Sequence, residues 1–196
     1  MLFFRCSLKY FYILPKLNCI KINRDTPMLE QQNLILNRAQ VNQKITRIAY
    51  QIYENNFQEG EVVFAGIWQS GYLFAQMLEN AYSKITGRPS RVIKVNVNKQ
   101  TPTQGDVNLD CNPEELANKT VILIDDVLNT GRTLAYSLKP FFDIRLDKLQ
   151  IAVLVDRSHK KFPVSADYVG YELSTTLREH ITAELEDEAT FGVYLS

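Results

Sequence analysis

The segment Val121 to Thr133, with the sequence VILIDDVLNTGRT, decides how this chain folds. It opens on an apolar run typical of a buried strand, which delivers two carboxylates, Asp125 and Asp126, to the end of that strand. A turn of small residues leads into a helix, and Gly131 in this turn permits close approach to the backbone. Amide groups at such a helix start point at one locus, where a phosphate group can bind. The segment therefore predicts a site for a phosphorylated sugar, whose hydroxyl groups donate to the carboxylates.

Two other interpretations of this segment compete with the phosphate site. One is an ordinary turn between a strand and a helix, in which the acidic residues only cap the helix. The other is the acidic strand end of a P-loop nucleotidase. That class also needs a separate segment of the form Gly-x-x-x-x-Gly-Lys followed by Ser or Thr, and this chain has none. The whole pattern favours the phosphate site.

The rest of the chain alternates between helical and strand-like patterns. Helices are predicted over residues 33–55, 72–85 and 133–142, and strands over 61–65, 91–97, 120–124 and 149–155. The polar stretch 98–118, with two prolines and one glycine, is predicted as a long loop or lid. This alternation favours an α/β fold, a mostly parallel twisted sheet flanked by helices. In such folds, ligands bind beyond the carboxyl ends of the strands.

Length and charge separate a leader from the body of the chain. The 196 residues, 45% of them hydrophobic, suffice for one well-buried domain. Residues 1–24 contain basic but no acidic side chains. We therefore predict that residues 1–27 are a disordered or non-native leader, with a targeting peptide as the alternative, and that residues 28–196 form one domain. The body carries more acidic than basic residues, which does not favour loose binding of nucleic acid.

The cysteines and the hydropathy of the leader bear on the cellular compartment. Cys6, Cys19 and Cys111 lie far apart, without the paired spacing of a zinc site or a disulfide framework. The longest apolar runs of the leader fall far short of the roughly 20 residues that span a bilayer. These features predict a cytoplasmic protein without a membrane anchor.

Three stretches of the chain resemble the type I phosphoribosyltransferase family. They are Thr46–Ala49, the segment Val121 to Thr133, and Ala152–His159 with the nearby Ala166–Gly170. The resemblance extends from Leu36 to Ser196. It is closest to the bifunctional branch whose members attenuate the pyrimidine operon and have uracil phosphoribosyltransferase activity. It implies the type I phosphoribosyltransferase fold with a small C-terminal hood, and binding of phosphoribosyl pyrophosphate.

The resemblance assigns roles to the residues at the end of the central strand. Asp125 and Asp126 are implied to bind the ribose hydroxyl groups, and they are the expected catalytic residues together with Arg157. The 5-phosphate is implied to bind the residues that follow, which we call the phosphate loop: Val127, Leu128, Asn129, Thr130, Gly131, Arg132 and Thr133.

A second loop stands where the family binds pyrophosphate. This pyrophosphate loop consists of Ile67, Trp68, Gln69, Ser70 and Gly71. Relatives usually carry a basic residue just before the last glycine, whereas this chain has Ser70. Backbone amides are therefore expected to hold most of the pyrophosphate. The alternative is a tight turn that only needs its two glycines.

The resemblance also implies a magnesium cofactor and a base-recognising hood. Asp156 is expected to act on the metal through water, and Arg157 on phosphate oxygens. A structural ion pair is the alternative for these two residues. Tyr168 and Val169 lie in the region expected to form the hood and are predicted to contact the substrate.

Two departures from the family bear on catalysis and on the choice of base. Asn96 to Lys99 stand where relatives carry Tyr-Arg-Asp-Asp before a flexible catalytic loop. The electrostatic contact of that arginine with the transition state is lost here, unless Lys99 replaces it in part. The stretch Gly170–Thr176 lacks the lysine and the proline that relatives have in the hood, which puts the recognition of uracil in question.

The expected function is transfer of a phosphoribosyl group to a nitrogenous base, with uracil as the expected pyrimidine base, and release of pyrophosphate. The resemblance implies a homodimer. The rival is a non-catalytic regulator of pyrimidine metabolism that binds phosphoribosyl pyrophosphate or a nucleotide, and the departures favour it. RNA stays open as a partner, although the negative net charge of the body does not favour RNA binding. A dimeric scaffold without a ligand is a third interpretation, against which the intact phosphate loop argues.

Overall fold

The computed structural model describes residues 33–97, 107–175 and 179–196. The predicted leader, 1–27, and residues 98–106 of the predicted lid, with Lys99 among them, lie outside the described residues. The described elements are β1 (Asn33–Asn37), α1 (Arg38–Asn55), β2 (Val62–Ile67), α2 (Ser70–Thr86), β3 (Ser90–Asn96), β4 (Asn108–Leu109), a 3-10 helix (Pro113–Leu116), β5 (Thr120–Leu128), α3 (Arg132–Ser137), α4 (Lys139–Phe142), β6 (Lys148–Asp156), β7 (Tyr168–Glu172), β8 (Ile181–Glu184) and β9 (Gly192–Leu195). Among these helices, none combines the length and the apolar character that crossing a membrane requires.

The main sheet has six strands in the order β4-β3-β2-β5-β6-β7. Neighbouring strands are parallel, except that β4 runs antiparallel to β3. The prediction of an α/β fold with a mostly parallel sheet is thereby confirmed. Because β2, β5 and β6 run in one direction, their carboxyl ends lie along the same edge of the sheet. That edge carries both the pyrophosphate loop and the phosphate loop.

Helices cover both faces of the main sheet. On one face α1 and α2 bury Ile48, Ile52 and Phe74 against the strands. On the other face Leu134 of α3 and Phe141 of α4 are buried. A strand covered on both faces can be apolar at every position, and all six residues of β2 are buried. The continuous apolar runs of the sequence follow from this two-sided cover.

The first helix begins later than predicted, because residues 33–37 form a strand. Asn37 caps α1: its Oδ1 accepts from Gln40 N at 3.0 Å, and Gln40 Oε1 accepts from Asn37 N at 2.9 Å. This capping box starts the helix at Arg38. β1 pairs antiparallel with β9, and β9 pairs with β8, in a separate sheet that we call the hood. The hood therefore combines the two C-terminal strands with a strand that precedes α1.

Other elements differ from the prediction in extent. β5 continues through the two carboxylates to Leu128, because β6 pairs with it from Thr120 onwards. The helix predicted over 133–142 is divided into α3 and α4 at Leu138. Pro140 has no amide hydrogen, so an unbroken helical ladder cannot form there. In the described part of the predicted lid, β4 pairs with the end of β3.

The edge strand β7 contains Tyr168 and Val169, which the sequence placed in the hood. Tyr168 is 1% exposed, and its hydroxyl group bonds Asn56 and Gln150 at 3.2 and 3.0 Å. The carbonyl oxygen of Val169 accepts from the Arg47 guanidinium at 2.6 Å. Both residues thus join β7 to the main sheet and to α1, which corrects their predicted place in the hood.

Candidate functional site

The phosphate loop leaves β5 at Leu128 and enters α3 at Arg132. Gly131 at this entry has a φ of 78°, a left-handed conformation that glycine adopts without steric cost. The loop surrounds a cavity of about 40 Å³. Its lining consists of Asp125, Val127, Leu128, Asn129, Thr130, Gly131, Arg132, Thr133 and Leu134. All residues predicted to form the phosphate loop therefore line one small cavity.

Backbone hydrogen bonds from the segment after β6 hold the phosphate loop in this shape. Thr130 O accepts from the amides of Lys161 and Phe162 at 2.8 and 3.1 Å. Leu128 O accepts from the amide of Arg157 at 2.9 Å. None of these three donor residues lines the cavity, so the loop is held from outside.

The side chain of Arg157 also supports the phosphate loop. Arg157 is 4% exposed, and its Nη1 donates to Asn129 Oδ1 at 3.0 Å. Its Nε donates to Thr175 Oγ1 at 2.5 Å. The guanidinium group therefore links the phosphate loop to the segment that follows β7. These contacts give Arg157 a role in positioning Asn129.

The two carboxylates of β5 line adjoining cavities. Asp125 is 4% exposed, and its Oδ1 accepts from the amide of Asp126 at 3.1 Å. Asp125 lines the phosphate-loop cavity, whereas Asp126 lines a larger cavity of about 330 Å³. Val127 lines both, so the two cavities share a wall at the end of β5.

The larger cavity, which we call the hood cavity, lies between the pyrophosphate loop and the hood. Besides Asp126 and Val127 its lining consists of Gln69, Ser70, Leu73, Ile181, Thr182, Ala183, Glu184, Leu185 and Glu186. The charged side chains in this lining, Asp126, Glu184 and Glu186, are all acidic. Like charges repel more strongly in a cleft than in bulk water. An anionic group would therefore enter this cavity more favourably together with a cation.

Residues of the pyrophosphate loop occupy three kinds of position. Ile67 is fully buried in the core of the main sheet. Gln69 and Ser70 line the hood cavity. Trp68 is 41% exposed and lines neither cavity, and the peptide bond between Trp68 and Gln69 is cis. The side of the loop that faces the hood cavity is thus formed by Gln69 and Ser70.

Two glycines bring α2 close to the sheet at this loop. A Cβ at Gly66 would lie 2.6 Å from Tyr72 Cα, and a Cβ at Gly71 would lie 3.0 Å from both Asp125 Cα and Asp125 Oδ1. The start of α2 therefore packs directly on the strand end that carries the buried carboxylate. This close approach places the pyrophosphate loop beside the phosphate loop.

Replacing Gly71 with Ala is expected to lower the free energy of unfolding by about 1–3 kcal/mol, as overpacking of a tight site typically does. The added methyl group would meet the backbone of β5, which cannot move without displacing Asp125. Gly60→Ala is the matched control, because a Cβ there meets nothing within 4 Å. Chemical denaturation of both variants measures the difference, and equal stabilities would contradict the close approach.

Asp156, predicted to act on magnesium through water, is engaged within the protein. Its Oδ1 accepts from the amide of Ser158 at 2.9 Å, and its Oδ2 lies 2.9 Å from Lys160 Nζ. Asp156 thus forms an ion pair with Lys160, while its action on magnesium through water stays a prediction. In the described ranges, no three His, Cys, Asp or Glu side chains form a group that could hold a metal ion. Magnesium commonly binds one or two carboxylates together with substrate phosphates, so the acidic lining of the hood cavity fits it better.

The sequence analysis did not predict the hood residues of the larger cavity, because it placed the hood in 168–176. A sequence pattern at 181–186 could have identified them. Apolar Ile181, Ala183 and Leu185 alternate with polar Thr182, Glu184 and Glu186. An alternation with a period of two residues is typical of a half-buried strand. Its polar positions include Glu184 and Glu186, which are the acidic residues of the cavity lining.

Comparison with known proteins identifies the class. Residues 31–187 match the phosphoribosyl transferase domain family. Among curated relatives, the bifunctional protein PyrR of Pelotomaculum thermopropionicum is 34% identical over 167 residues, covering 82% of this chain and 92% of the relative. The bifunctional protein PyrR of Bacillus pumilus is 32% identical over 168 residues, covering 81% and 93%. The chain therefore belongs to the phosphoribosyl transferase domain family.

Solved structures of phosphoribosyltransferases align with the structure of this chain. A hypoxanthine-guanine phosphoribosyltransferase from Bacillus anthracis aligns with a TM-score of 0.68 at 20% identity, over 84% of this chain and 96% of the other. The hypoxanthine phosphoribosyltransferase of Trypanosoma cruzi aligns with a TM-score of 0.68 at 18% identity, over 83% and 95%. At these identities the similarity establishes the type I phosphoribosyltransferase fold alone.

Proposed function

We propose that this chain binds phosphoribosyl pyrophosphate, transfers its phosphoribosyl group to uracil and releases pyrophosphate. The observation that carries the proposal is the pair of adjoining cavities at the end of β5. The phosphate loop offers a place for the 5-phosphate, the carboxylates of Asp125 and Asp126 for the ribose hydroxyl groups, and the hood cavity for pyrophosphate and base. We also expect a homodimer that acts in the cytoplasm.

The reaction exchanges one bond at ribose C1 for another. The bond from C1 to the pyrophosphate oxygen breaks and its electron pair leaves with pyrophosphate, while a base nitrogen forms a bond to C1 and loses its proton to water. Positive charge develops on the ribose as the first bond weakens, so neighbouring carboxylates stabilise the transition state. Holding the 5-phosphate and both hydroxyl groups orients C1 toward the base. No covalent intermediate with the protein is required.

Magnesium is the proposed cofactor, and the acidic lining of the hood cavity supports it. Asp126, Glu184 and Glu186 carry carboxylates, the oxygen donors that magnesium prefers, and one or two of them would hold the ion together with substrate phosphates. When bound, the ion would supply the positive charge that the pyrophosphate loop lacks.

A second candidate function is a non-catalytic regulator of pyrimidine metabolism that binds phosphoribosyl pyrophosphate or a nucleotide. The specific observation in its favour is the charge of the hood cavity, whose described lining contains acidic but no basic side chains. A site that binds the 5-phosphate well and stabilises departing pyrophosphate poorly would bind its ligand without turning it over.

Calorimetric titration with phosphoribosyl pyrophosphate and magnesium, followed by a pyrophosphate-release assay with a panel of bases, tests the proposal. We expect binding, and release that depends on uracil. Binding without release on any base would support the regulator instead. Absence of binding of both phosphoribosyl pyrophosphate and uridine 5-monophosphate would contradict both functions.

A further inference from the structure

Lys94 lies between two aromatic rings beside the pyrophosphate loop. It belongs to β3, where it is in register with Gly66 of β2. Its Nζ lies 4.3 Å from the centroid of Trp68 and 4.9 Å from that of Tyr72. Both distances fall within the roughly 6 Å over which an aromatic face attracts a cation. One ammonium group therefore contacts a ring at each end of the segment 68–72.

The aromatic pair is not fixed by burial alone. The two ring centroids are 5.8 Å apart with planes inclined by 52°, and Trp68 N donates to Val95 O at 3.0 Å. Trp68 nevertheless remains 41% exposed. Across the described part of the chain, no carboxylate forms an ion pair with Lys94. Among the described residues, Lys94 therefore supplies the charged group that contacts both rings.

The segment between the rings has no charged side chain to attract an anion. Ser70 and Gly71 are the first residues of α2, and no side chain caps this helix start. The opening amides of a helix have no helical carbonyl to bond, so they are available to a ligand. Gln69 and Ser70 also line the hood cavity. Binding of an anion on this side therefore depends on how the backbone of 69–71 is oriented.

We propose that Lys94 is a positioning residue for the pyrophosphate side of the site. By holding Trp68 and Tyr72, it fixes Gln69 to Gly71 in the orientation that presents their amides to the hood cavity. It acts through the two rings and does not contact the ligand. This inference rests on the proposed binding of phosphoribosyl pyrophosphate and adds to it the residue on which the uncharged loop depends.

Three substitutions separate the charge of Lys94 from other effects. Lys94→Met removes the charge at similar length, and Lys94→Arg keeps a cation on the rings. Lys84→Met is the matched control, because Lys84 is an exposed lysine in the last turn of α2. We expect the dissociation constant for magnesium phosphoribosyl pyrophosphate to rise roughly three- to tenfold in Lys94→Met. Lys94→Arg and Lys84→Met should bind like the unmodified protein.

Binding of ribose 5-phosphate distinguishes an effect on the pyrophosphate loop from a general structural defect, because a general defect would weaken this binding as well. Ribose 5-phosphate has the 5-phosphate and hydroxyl groups but no pyrophosphate, so Lys94→Met should bind it with normal affinity. Trp68 is the single tryptophan of the chain, so tryptophan emission reports on the loop directly. Lys94→Met should shift this emission to longer wavelength, and Lys94→Arg should restore it.

A second variant covers the case in which Lys94→Met folds poorly. Tyr72→Leu removes one ring and keeps the charge, and it should weaken binding of phosphoribosyl pyrophosphate in the same direction by a smaller factor. Unchanged affinity for phosphoribosyl pyrophosphate in a folded Lys94→Met, or an equal loss for ribose 5-phosphate, overturns the inference while the proposed function stands. Failure of the unmodified protein to bind phosphoribosyl pyrophosphate overturns the proposed function, and this inference with it.

Discussion

Replacing Asp125 and Asp126 together with Asn is expected to weaken binding of phosphoribosyl pyrophosphate by roughly 30-fold or more. Under the proposed function, each carboxylate accepts a charge-assisted hydrogen bond from a ribose hydroxyl group. A neutral amide makes this bond weaker by about 1 kcal/mol or more, and two such losses give about 2 kcal/mol. The fold should survive, because an Asn at position 125 retains the oxygen that accepts from the Asp126 amide.

Titration calorimetry with phosphoribosyl pyrophosphate and with inorganic phosphate measures this effect. Inorganic phosphate should still bind the phosphate loop, because it has no hydroxyl groups for the carboxylates. Asp143→Asn combined with Asp147→Asn is the matched control, since both residues are exposed and lie between α4 and the start of β6. If the Asp125 and Asp126 variant bound the sugar ligand as tightly as this control, the two carboxylates would not belong to the site.

Replacing Ser70 with Arg is expected to raise the rate of pyrophosphate release by about a hundredfold, the usual size of one preorganised electrostatic contact to the transition state. Ser70 lines the hood cavity together with three acidic residues. A guanidinium group at this position would stabilise the negative charge that develops on departing pyrophosphate. It acts more on the transition state than on the bound substrate, so kcat should increase more than binding.

Steady-state kinetics with uracil, at saturating phosphoribosyl pyrophosphate and magnesium, checks this expectation. Gln76→Arg is the control, because it adds the same charge at an exposed position of α2 that lines neither cavity. Rapid turnover by the unmodified protein, with no gain in Ser70→Arg, would show that the pyrophosphate loop does not limit the reaction.

Much of the fold could be predicted from local patterns. The apolar runs of β2, β5 and β6 are continuous because helices cover both faces of the main sheet. The start of α1 was misplaced because Leu34 lies seven residues before Val41, a spacing that fits one face of a helix, although residues 33–37 form a strand. The capping box at Asn37 decides between the two, and its two bonds form only when the helix starts at Arg38.

Some features of the candidate site could likewise be predicted from the sequence, and others could not. The strand end, turn and helix start of the phosphate loop could be predicted because they are consecutive in the sequence, whereas its binding of phosphate stays a prediction. The place of Tyr168 could not be predicted, because its hydroxyl group bonds Asn56, which follows α1 and is distant from Tyr168 in sequence. The ion pair of Asp156 with Lys160 could not be predicted either, because their contact depends on the conformation of the segment after β6.

Local sequence patterns predicted the alternation of strands and helices in the main sheet, the turn of the phosphate loop and the absence of a basic side chain from the pyrophosphate loop. These features depend on residues close together in the chain, where backbone preference and hydrophobic periodicity act directly. The three-dimensional fold was needed to show that Glu184 and Glu186 line the same cavity as Ser70, and that Lys94 lies between two aromatic rings. Such contacts join segments distant in sequence, and they depend on strand order and register, which a local pattern does not specify.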